Sequence, residues 1–269
     1  MVKFPPMERT ARTESEDFLT SRIVIKIGTS TITAGKNQPD MDLLRDIARQ
    51  SAELLKTGIG VAIVSSGAVA LGRGAEDTGE SITDKQAYAL EGQSKLIATW
   101  RNAFEAYGIE HVGQALYTDA DFKERANSVR EVLLKGLSRG PVIINYNDAV
   151  ADEEMRKVEK SVDNDTLAGN VARLLDADLL ILTDVDGVID QGELLPWVER
   201  LEDIEELLHS GGTGTGGAKS KWVEAKRAAQ LGKISVIANG RTKDVVLDVA
   251  KGKMVGTRFI HQSYMFPKG

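Results

Sequence analysis

The residues with the clearest chemical meaning lie between Gly211 and Lys221, where the sequence reads GGTGTGGAKSK. Five of the first seven residues are glycine and the other two are threonine. Because glycine has no Cβ, such a backbone can fold closely around a phosphate chain and direct several N–H groups at it. The run KSKWVEAKRAAQLG follows with a helical pattern, and the start of a helix adds unpaired N–H donors. The segment predicts a site for a nucleoside triphosphate, with Lys219 and Lys221 as point charges.

Three well-known phosphate motifs do not account for this loop. Ala218 separates Gly217 from Lys219, so the P-loop pattern G-x-x-x-x-G-K-[ST] is not met. The loop does contain G-x-G-x-x-G, but the preceding run EDIEELLHS is helical in pattern, and residues 232–240 contain no acid. The catalytic-loop motifs of protein kinases are missing. A flexible glycine linker remains the alternative.

Polar residues also follow the predicted strands. Lys26 lies inside the apolar run IVIKIG, where a buried lysine is costly unless it is paired or reaches an opening. An edge position, with the stem packed and the amine in water, is an equally good interpretation. SSGA, residues 65–68, ends the next strand and could hold a carboxylate or another anion. Taken alone, SSGA is better explained by an ordinary cap between a strand and the next helix.

Two further clusters combine amide and carboxylate side chains. NYND ends a strand and offers donors and an acceptor that suit a zwitterionic amino acid, although an Asx turn would use the same residues. VDND opens a helix with three polar side chains, which is more than one helix cap needs. The polar residues of the two clusters are Asn145, Asn147, Asp148, Asp163, Asn164 and Asp165.

The motif TDVDG follows the strand-like run LLIL. Thr183, Asp184 and Asp186 could hold adenosine hydroxyls or a hydrated magnesium ion, because metal-bound phosphates need only one or two carboxylates. A turn with Gly187 at positive φ is the alternative.

The elements that must position these residues alternate between strands and helices. The strand-like runs are RIVIKIG, GVAIVSS, HVGQALY, PVIINYN, DLLILT and ISVIANG. Helical patterns lie between them, including a long one over TDKQAYALEGQSKLIATWRNAFEAYG despite its glycine. This alternation predicts an α/β fold in which helices cover a mainly parallel sheet. Ligands of such sheets bind beyond the carboxyl ends of the strands, so the polar motifs above should meet there.

Composition narrows the functional classes. The chain has 269 residues, no cysteine and a net charge of −6, which argue against disulfides, thiolate metal sites and a general affinity for nucleic acid or membrane. The three histidines are far apart and form no ligand motif. Residues 1–20 are polar, lack a signal-peptide pattern and are expected to form a loose tail on a cytoplasmic protein.

The ordered motifs resemble those of the amino-acid kinase superfamily over about residues 21–260. The segments that carry the resemblance are IKIGTSTIT, AIVSSGAVALG, VIINYNDAV, VDNDTLAGNVA, LLILTDVDG and GTGGAKSK. The resemblance implies a three-layer αβα sandwich with a large, mainly parallel sheet. It also implies one kinase domain over 21–269, with the acceptor bound by about 21–177 and the nucleotide by about 178–269.

The resemblance implies a role for each motif. Lys26 and Lys221 match the two lysines that neutralise the transferring phosphoryl group, and Asp165 matches the aspartate that organises them. The positions that match substrate-binding residues are Ser66, Gly67, Asp148 and Asn164. The positions that match nucleotide-binding residues are Thr183, Asp184, Gly214, Thr215, Gly216, Gly217 and Lys221. No residue is assigned as a metal ligand.

Within the superfamily, the details resemble the branch that uses ATP and Mg²⁺ to phosphorylate the γ-carboxylate of L-glutamate. That reaction gives L-glutamyl 5-phosphate and begins proline synthesis. The resemblance further implies feedback inhibition by proline, a homodimer or homotetramer, and a short form without the C-terminal PUA domain of many members. A sister kinase with another carboxylate or phosphate acceptor is one alternative. A non-catalytic ligand-binding regulator is the other, although the presence of Lys26, Asp165 and Lys221 together argues against it.

The chain departs from the family pattern at three positions. Tyr146 stands where the family usually has glutamate, and Val162 stands where it usually has glycine. Both flank the expected amino-acid site. Ser220 replaces a common threonine and keeps the hydroxyl group.

Overall fold

Strands and helices alternate along the chain, as predicted. The computed structural model describes residues 21–36, 38–74, 77–150, 164–190, 192–198 and 216–259, with side chains from 220 onward in the last range. The strands are β1 Arg22–Ile27, β2 Gly60–Ser65, β3 Gly113–Tyr117, β4 Val142–Tyr146, β5 Asp178–Thr183, β6 Ile189–Asp190, β7 Glu193–Leu194, β8 Trp197–Val198, β9 Ser235–Asn239 and β10 Thr257–Phe259. The helices are α1 Thr29–Thr33, α2 Met41–Lys56, α3 Ala68–Gly72, α4 Ile82–Glu105, α5 Asp119–Glu124, α6 Ala126–Leu137, α7 Asn164–Leu175, α8 Gly216–Gln230 and α9 Val245–Ala250.

Eight strands form one sheet in the order β3-β4-β2-β1-β5-β9-β10-β8. The neighbours from β3 to β9 are parallel, whereas β10 pairs with β9 in the antiparallel direction. The central strands are apolar over nearly their whole length because helices cover both faces of the sheet. Parallel pairing brings the carboxyl ends of β1, β2, β4, β5 and β9 to the same edge.

Side chains of β1 show how the two faces are divided. Ile23, Ile25 and Ile27 join the core that α2, α4 and α9 cover. Val24 joins the opposite core, which α6, α7 and α8 cover. Because side chains alternate along a strand, Lys26 lies on the same face as Val24. The layers form the predicted αβα sandwich, and Lys26 is directed toward the layer that contains α7 and α8.

Two glycines allow α3 and α4 to approach each other closely behind β2. A Cβ at Gly92 would overlap the carbonyl oxygen of Ala68, and a Cβ at Gly72 would overlap that of Tyr88. The chain enters α3 through Gly67, whose φ of 108° disfavours residues with a side chain. The helix pair therefore fixes where the chain turns after Ser66.

Several short elements were not predicted. The helices α1, α3 and α5, the two-stranded β6–β7 sheet, β8 and β10 span two to six residues each, which is too short to show a periodic pattern. Helix α8 begins at Gly216, whereas the sequence predicted a glycine loop at this position and a helix from Lys219 onward. The helical pattern at EDIEELLHS and the N-terminal tail lie outside the described residues. Among the described helices, none combines the length and apolar sequence that crossing a bilayer requires.

Replacement of Gly92 by alanine should separate α3 from α4. The new methyl group would meet backbone, which cannot move aside as a side chain could, so we expect the free energy of unfolding to fall by about 3 kcal/mol. Gly113→Ala is the control, because a Cβ there stays at ordinary contact distances of 3.6 Å or more. Urea unfolding of both variants measures the difference. Equal stability of Gly92→Ala and the wild type would contradict the close approach.

Candidate active site

The three residues predicted to be catalytic meet in one cluster. Asp165 lies in the first turn of α7, between a lysine from β1 and a lysine from α8. Its Oδ1 is 2.5 Å from Lys26 Nζ, and its Oδ2 is 3.2 Å from Lys221 Nζ. Ser220 also donates a hydrogen bond of 2.8 Å to Oδ2. One carboxylate therefore holds two ammonium groups and a hydroxyl that come from distant parts of the chain.

The cluster is buried and charged. Lys26 and Asp165 are only 4% and 2% exposed, so water gives them little screening. Burial by itself would raise the pKa of the Asp165 carboxyl. The charges of the two lysines, together with hydrogen bonds from Lys26 and Ser220, outweigh burial and hold that pKa below its ordinary value. Asp165 is thus ionised at neutral pH and serves as a counter-ion, not as an acid.

The four predicted substrate-binding residues line one cleft beside this cluster. Ser66, Gly67, Asp148 and Asn164 surround a volume of about 370 Å³ beyond the carboxyl ends of β2 and β4. Asn164 Nδ2 donates a 2.9 Å hydrogen bond to Ser66 Oγ, which joins the start of α7 to the end of β2. Its Oδ1 is buried and has no hydrogen-bond partner within the described part of the chain. The cleft thus presents an unused acceptor.

Three charged residues of the cleft were missed by the sequence analysis. Arg73, Glu80 and Lys85 also line it. Glu80 accepts a 2.6 Å hydrogen bond from Arg73 Nη2 and lies 3.4 Å from Lys85 Nζ. Arg73 ends the short helix that follows SSGA, and its guanidinium carbon lies 5.3 Å from the centre of the Tyr88 ring. In the sequence, the only indication of this charged group was a basic residue, Arg73, a few positions after the strand-end motif SSGA.

The predicted nucleotide residues lie on the other side of β1, as far as the structure describes them. Thr183 ends β5, and Asp184 follows it and accepts a 2.7 Å hydrogen bond from the buried hydroxyl of Thr31. Gly216 and Gly217 form the first turn of α8, where helix N–H groups lack intrahelical partners. Gly214 and Thr215 lie outside the described residues, so their role stays a prediction.

Sheet order explains why these groups can act together. β1 lies at the centre, with β2 and then β4 on one side and β5 and then β9 on the other. The cleft lies beyond β2 and β4, and the predicted nucleotide positions lie beyond β5 and at the start of α8. Lys26 is therefore placed between the two sides.

The structure describes two of the three residues that depart from the family pattern. Tyr146 packs in the core with the α6–α8 layer and is not among the described residues that line the cleft. Its hydroxyl accepts a 3.2 Å hydrogen bond from the backbone N–H of Asp119. The hydroxyl of Ser220, which the family's usual threonine would also provide, donates a hydrogen bond to Asp165. Val162 lies outside the described residues.

A hydrated magnesium ion fits the acidic residues after β5 better than it fits the lysine cluster. Asp165 is already occupied by two lysines and a hydroxyl. Asp184 and Asp186 are exposed, and each accepts one hydrogen bond from a neutral group, Thr31 and Asn239 respectively. The described residues contain no group of three or more acidic or histidine side chains that could hold a metal by themselves. One or two carboxylates are enough when phosphates supply the remaining ligands.

Replacement of Asp165 by asparagine should destabilise the protein in a pH-dependent way. The change removes the negative charge that both lysines contact, and Lys26 is buried, so we expect a loss of about 3 kcal/mol at neutral pH. Because the folded pKa of Asp165 lies below its unfolded value, near 3.9, the stabilisation is complete above that value and is lost as the pH falls through the folded pKa.

Urea unfolding of the wild type and Asp165→Asn should therefore differ by a constant amount from about pH 8 to about pH 5. The difference should shrink below about pH 4. A difference that is already lost near neutral pH would contradict an ionised Asp165 held by the lysines.

Comparison with known proteins agrees with this architecture. The model of the amino acid kinase family matches residues 21–238. The glutamate 5-kinase of Shewanella amazonensis is 41% identical over 256 residues, which are 89% of this chain and 66% of that protein. The glutamate 5-kinase of Haemophilus influenzae is 38% identical over 259 residues and 69% of its length. The chain thus spans about two thirds of the length of the curated relatives it matches.

A solved structure shows the same fold at low identity. The UMP kinase of Bacillus anthracis superimposes with a TM-score of 0.62 and 16% identity, covering 89% of this chain and 96% of that chain. At that identity the likeness concerns the fold alone. Together with the family match over most of the sequence, it confirms the predicted αβα sandwich. The chain belongs to the amino acid kinase family.

Proposed function

We propose that the chain transfers the γ-phosphoryl group of ATP to the γ-carboxylate of L-glutamate and forms L-glutamyl 5-phosphate. The observation that carries the proposal is the shared carboxylate of Asp165, which holds two lysines between the cleft and the predicted nucleotide positions. The names of relatives near 40% identity support the same reaction. It would begin proline synthesis.

The cleft has groups for both charged ends of an amino acid. Asp148 and Asn164 Oδ1, which has no hydrogen-bond partner among the described residues, are acceptors that suit an α-ammonium group. Ser66 offers a hydroxyl, and Gly67 and Ala68 start α3, where the first N–H groups lack helical partners and suit a carboxylate. This arrangement is the one expected for a zwitterionic acceptor.

The chemistry needs alignment and positive charge but no general base. A γ-carboxylate has a reference pKa near 4.3, so it is already a nucleophile at neutral pH. One of its oxygens forms a bond to the γ-phosphorus as the bond from that phosphorus to the β-phosphate oxygen breaks and ADP leaves. Lys26 and Lys221 neutralise the negative charge on the transferring group, and Asp165 keeps both ammonium groups in place.

The nucleotide would lie along α8 and the end of β5. The N–H groups in the first turn of α8 would bind the phosphates, and Thr183 and Asp184 at the end of β5 would contact the nucleoside or its metal. The chemistry that Mg²⁺ would supply when bound is an offset of the negative charge of the phosphates. Asp184 and Asp186 are the carboxylates that would hold the hydrated ion.

A sister kinase with a phosphate acceptor is the second candidate. The observation that favours it is the presence of Arg73 and Lys85 in the cleft. Glu80 pairs with both cations, however, and Asp148 lines the same cleft, which disfavours a highly charged anion there. Proline inhibition, a dimeric or tetrameric state and the division into acceptor-binding and nucleotide-binding parts stay predictions.

The reaction can be tested directly. Purified protein with ATP, magnesium and L-glutamate should release ADP, and hydroxylamine should trap a γ-glutamyl hydroxamate. L-aspartate is one methylene shorter, so its carboxylate would stop about 1.5 Å short of in-line attack and should react at least about a hundredfold more slowly. ADP release without hydroxamate, or a preference for aspartate or a phosphate acceptor, would contradict the proposal.

Lys221→Ala and Lys233→Ala are matched variants for the same assay. Loss of the Lys221 ammonium should lower turnover about a hundredfold, because the transition state loses a charge contact. Lys233 precedes β9 at the opposite edge of the sheet, and its loss should leave turnover unchanged.

Replacement of Asp148 by alanine should weaken binding of the amino-acid acceptor and leave binding of ATP unchanged. A charge-assisted contact between Asp148 and the α-ammonium group is worth about 1.5–3 kcal/mol, so KM for L-glutamate should rise roughly ten- to a hundredfold. KM for ATP should hardly change, because Asp148 lines the cleft on the β4 side. Steady-state kinetics with each substrate varied in turn give both constants. An equal rise in both would show that Asp148 is not an acceptor-binding residue.

A further inference from the structure

A second buried carboxylate joins the two helices that carry Asp165 and Lys221. Glu224 of α8 has a side chain only 2% exposed. Its Oε2 is 2.9 Å from Nη1 of Arg173 on α7, and its Oε1 is 2.6 Å from Nη1 of Arg227 on α8. No local pattern in the sequence indicates this pairing, because Arg173 and Glu224 are far apart along the chain.

The Glu224 carboxylate lies between α7 and α8, the two helices that also supply Asp165 and Lys221 to the catalytic cluster. On α7, Asp165, Gly169 and Arg173 are spaced four residues apart and so share one face of the helix. On α8, Glu224 follows Lys221 by three residues, which also places the two side chains on neighbouring positions of one face. A Cβ at Gly169 would overlap Glu224 Oε2, so the carboxylate rests directly against the backbone of α7.

Polar contacts complement the apolar packing between these helices. The buried apolar residues include Leu167, Ala168, Val171 and Ala172 on α7 and Trp222, Ala225, Ala228 and Ala229 on α8. The alanines allow close approach but interlock little, because few atoms project from them. The ion pair between Glu224 and Arg173 adds a directed restraint to the contacts that Ser220 and Lys221 make with Asp165.

We propose that Glu224 is a positioning residue for Lys221. By holding Arg173, it fixes α8 along α7 so that the Lys221 ammonium group reaches the Asp165 carboxylate. The ion pair to Arg227 stays within α8 and satisfies the second oxygen without joining the helices. The assay below rests on the proposed glutamate kinase activity, whereas the structural role does not.

Arg173→Gln and Arg227→Gln form a matched pair that separates these two contacts. Each variant removes one guanidinium from the same carboxylate, but only Arg173→Gln breaks a bond between helices. Displacement of Lys221 by even about 1 Å should lower kcat about ten- to a hundredfold. KM for L-glutamate should stay within about twofold, because the cleft lies on the other side of β1. Arg227→Gln should keep wild-type kcat.

Melting temperatures and an assay temperature well below them separate positioning from simple stability. A loss of kcat confined to Arg173→Gln, with unchanged KM, supports the proposal. Equal kcat values for both variants, or a fall in melting temperature without a fall in kcat, would overturn it. Gly169→Ala gives a second route, because its methyl group displaces the Glu224 carboxylate while both arginines remain, and it should reproduce the Arg173→Gln kinetics. Wild-type turnover is measured first, so failure of the glutamate reaction itself is recognised separately.

Discussion

One carboxylate between two lysines is the interaction on which the rest of the site depends. The cluster of Lys26, Asp165 and Lys221 has one more positive than negative charge, and Lys26 and Asp165 are almost fully buried. A net positive charge in a weakly polar environment attracts anions. In the proposed reaction, that anion is the polyphosphate chain of the nucleotide, and the same positive charge offsets the negative charge on the transferring phosphoryl group.

The parallel sheet is what allows three separate elements to meet. β1 supplies Lys26 from the centre of the sheet, α7 brings Asp165 to the strand ends, and α8 brings Lys221 from the far end of the chain. The cleft beyond β2 and β4 and the polar residues after β5 then lie on opposite sides of β1.

Much of this arrangement could be predicted because strand ends are visible in the sequence. Lys26 interrupts an apolar strand, and Asp165 belongs to a polar cluster that exceeds the needs of a helix cap. The charged residues Arg73, Glu80 and Lys85 could not be assigned, because their place in the cleft depends on how α3 packs against α4. The pairing of Arg173 with Glu224 was likewise invisible, since it joins two helices through a contact 51 residues apart. Short local patterns carry information about strand ends, but they carry none about contacts between elements.

The two buried carboxylates between α7 and α8, Asp165 and Glu224, have different roles in the proposed mechanism. In the proposed reaction, Asp165 holds its lysines while their other N–H groups reach phosphate oxygens. Both oxygens of Glu224 are paired with arginines. An ion pair that is complete in itself can fix a helix position without competing for the ligand. In the proposed arrangement, the ion pair between Glu224 and Arg173 fixes the position of α8 along α7. The ammonium group of Lys221 then stays at Asp165 without having to hold the helices together.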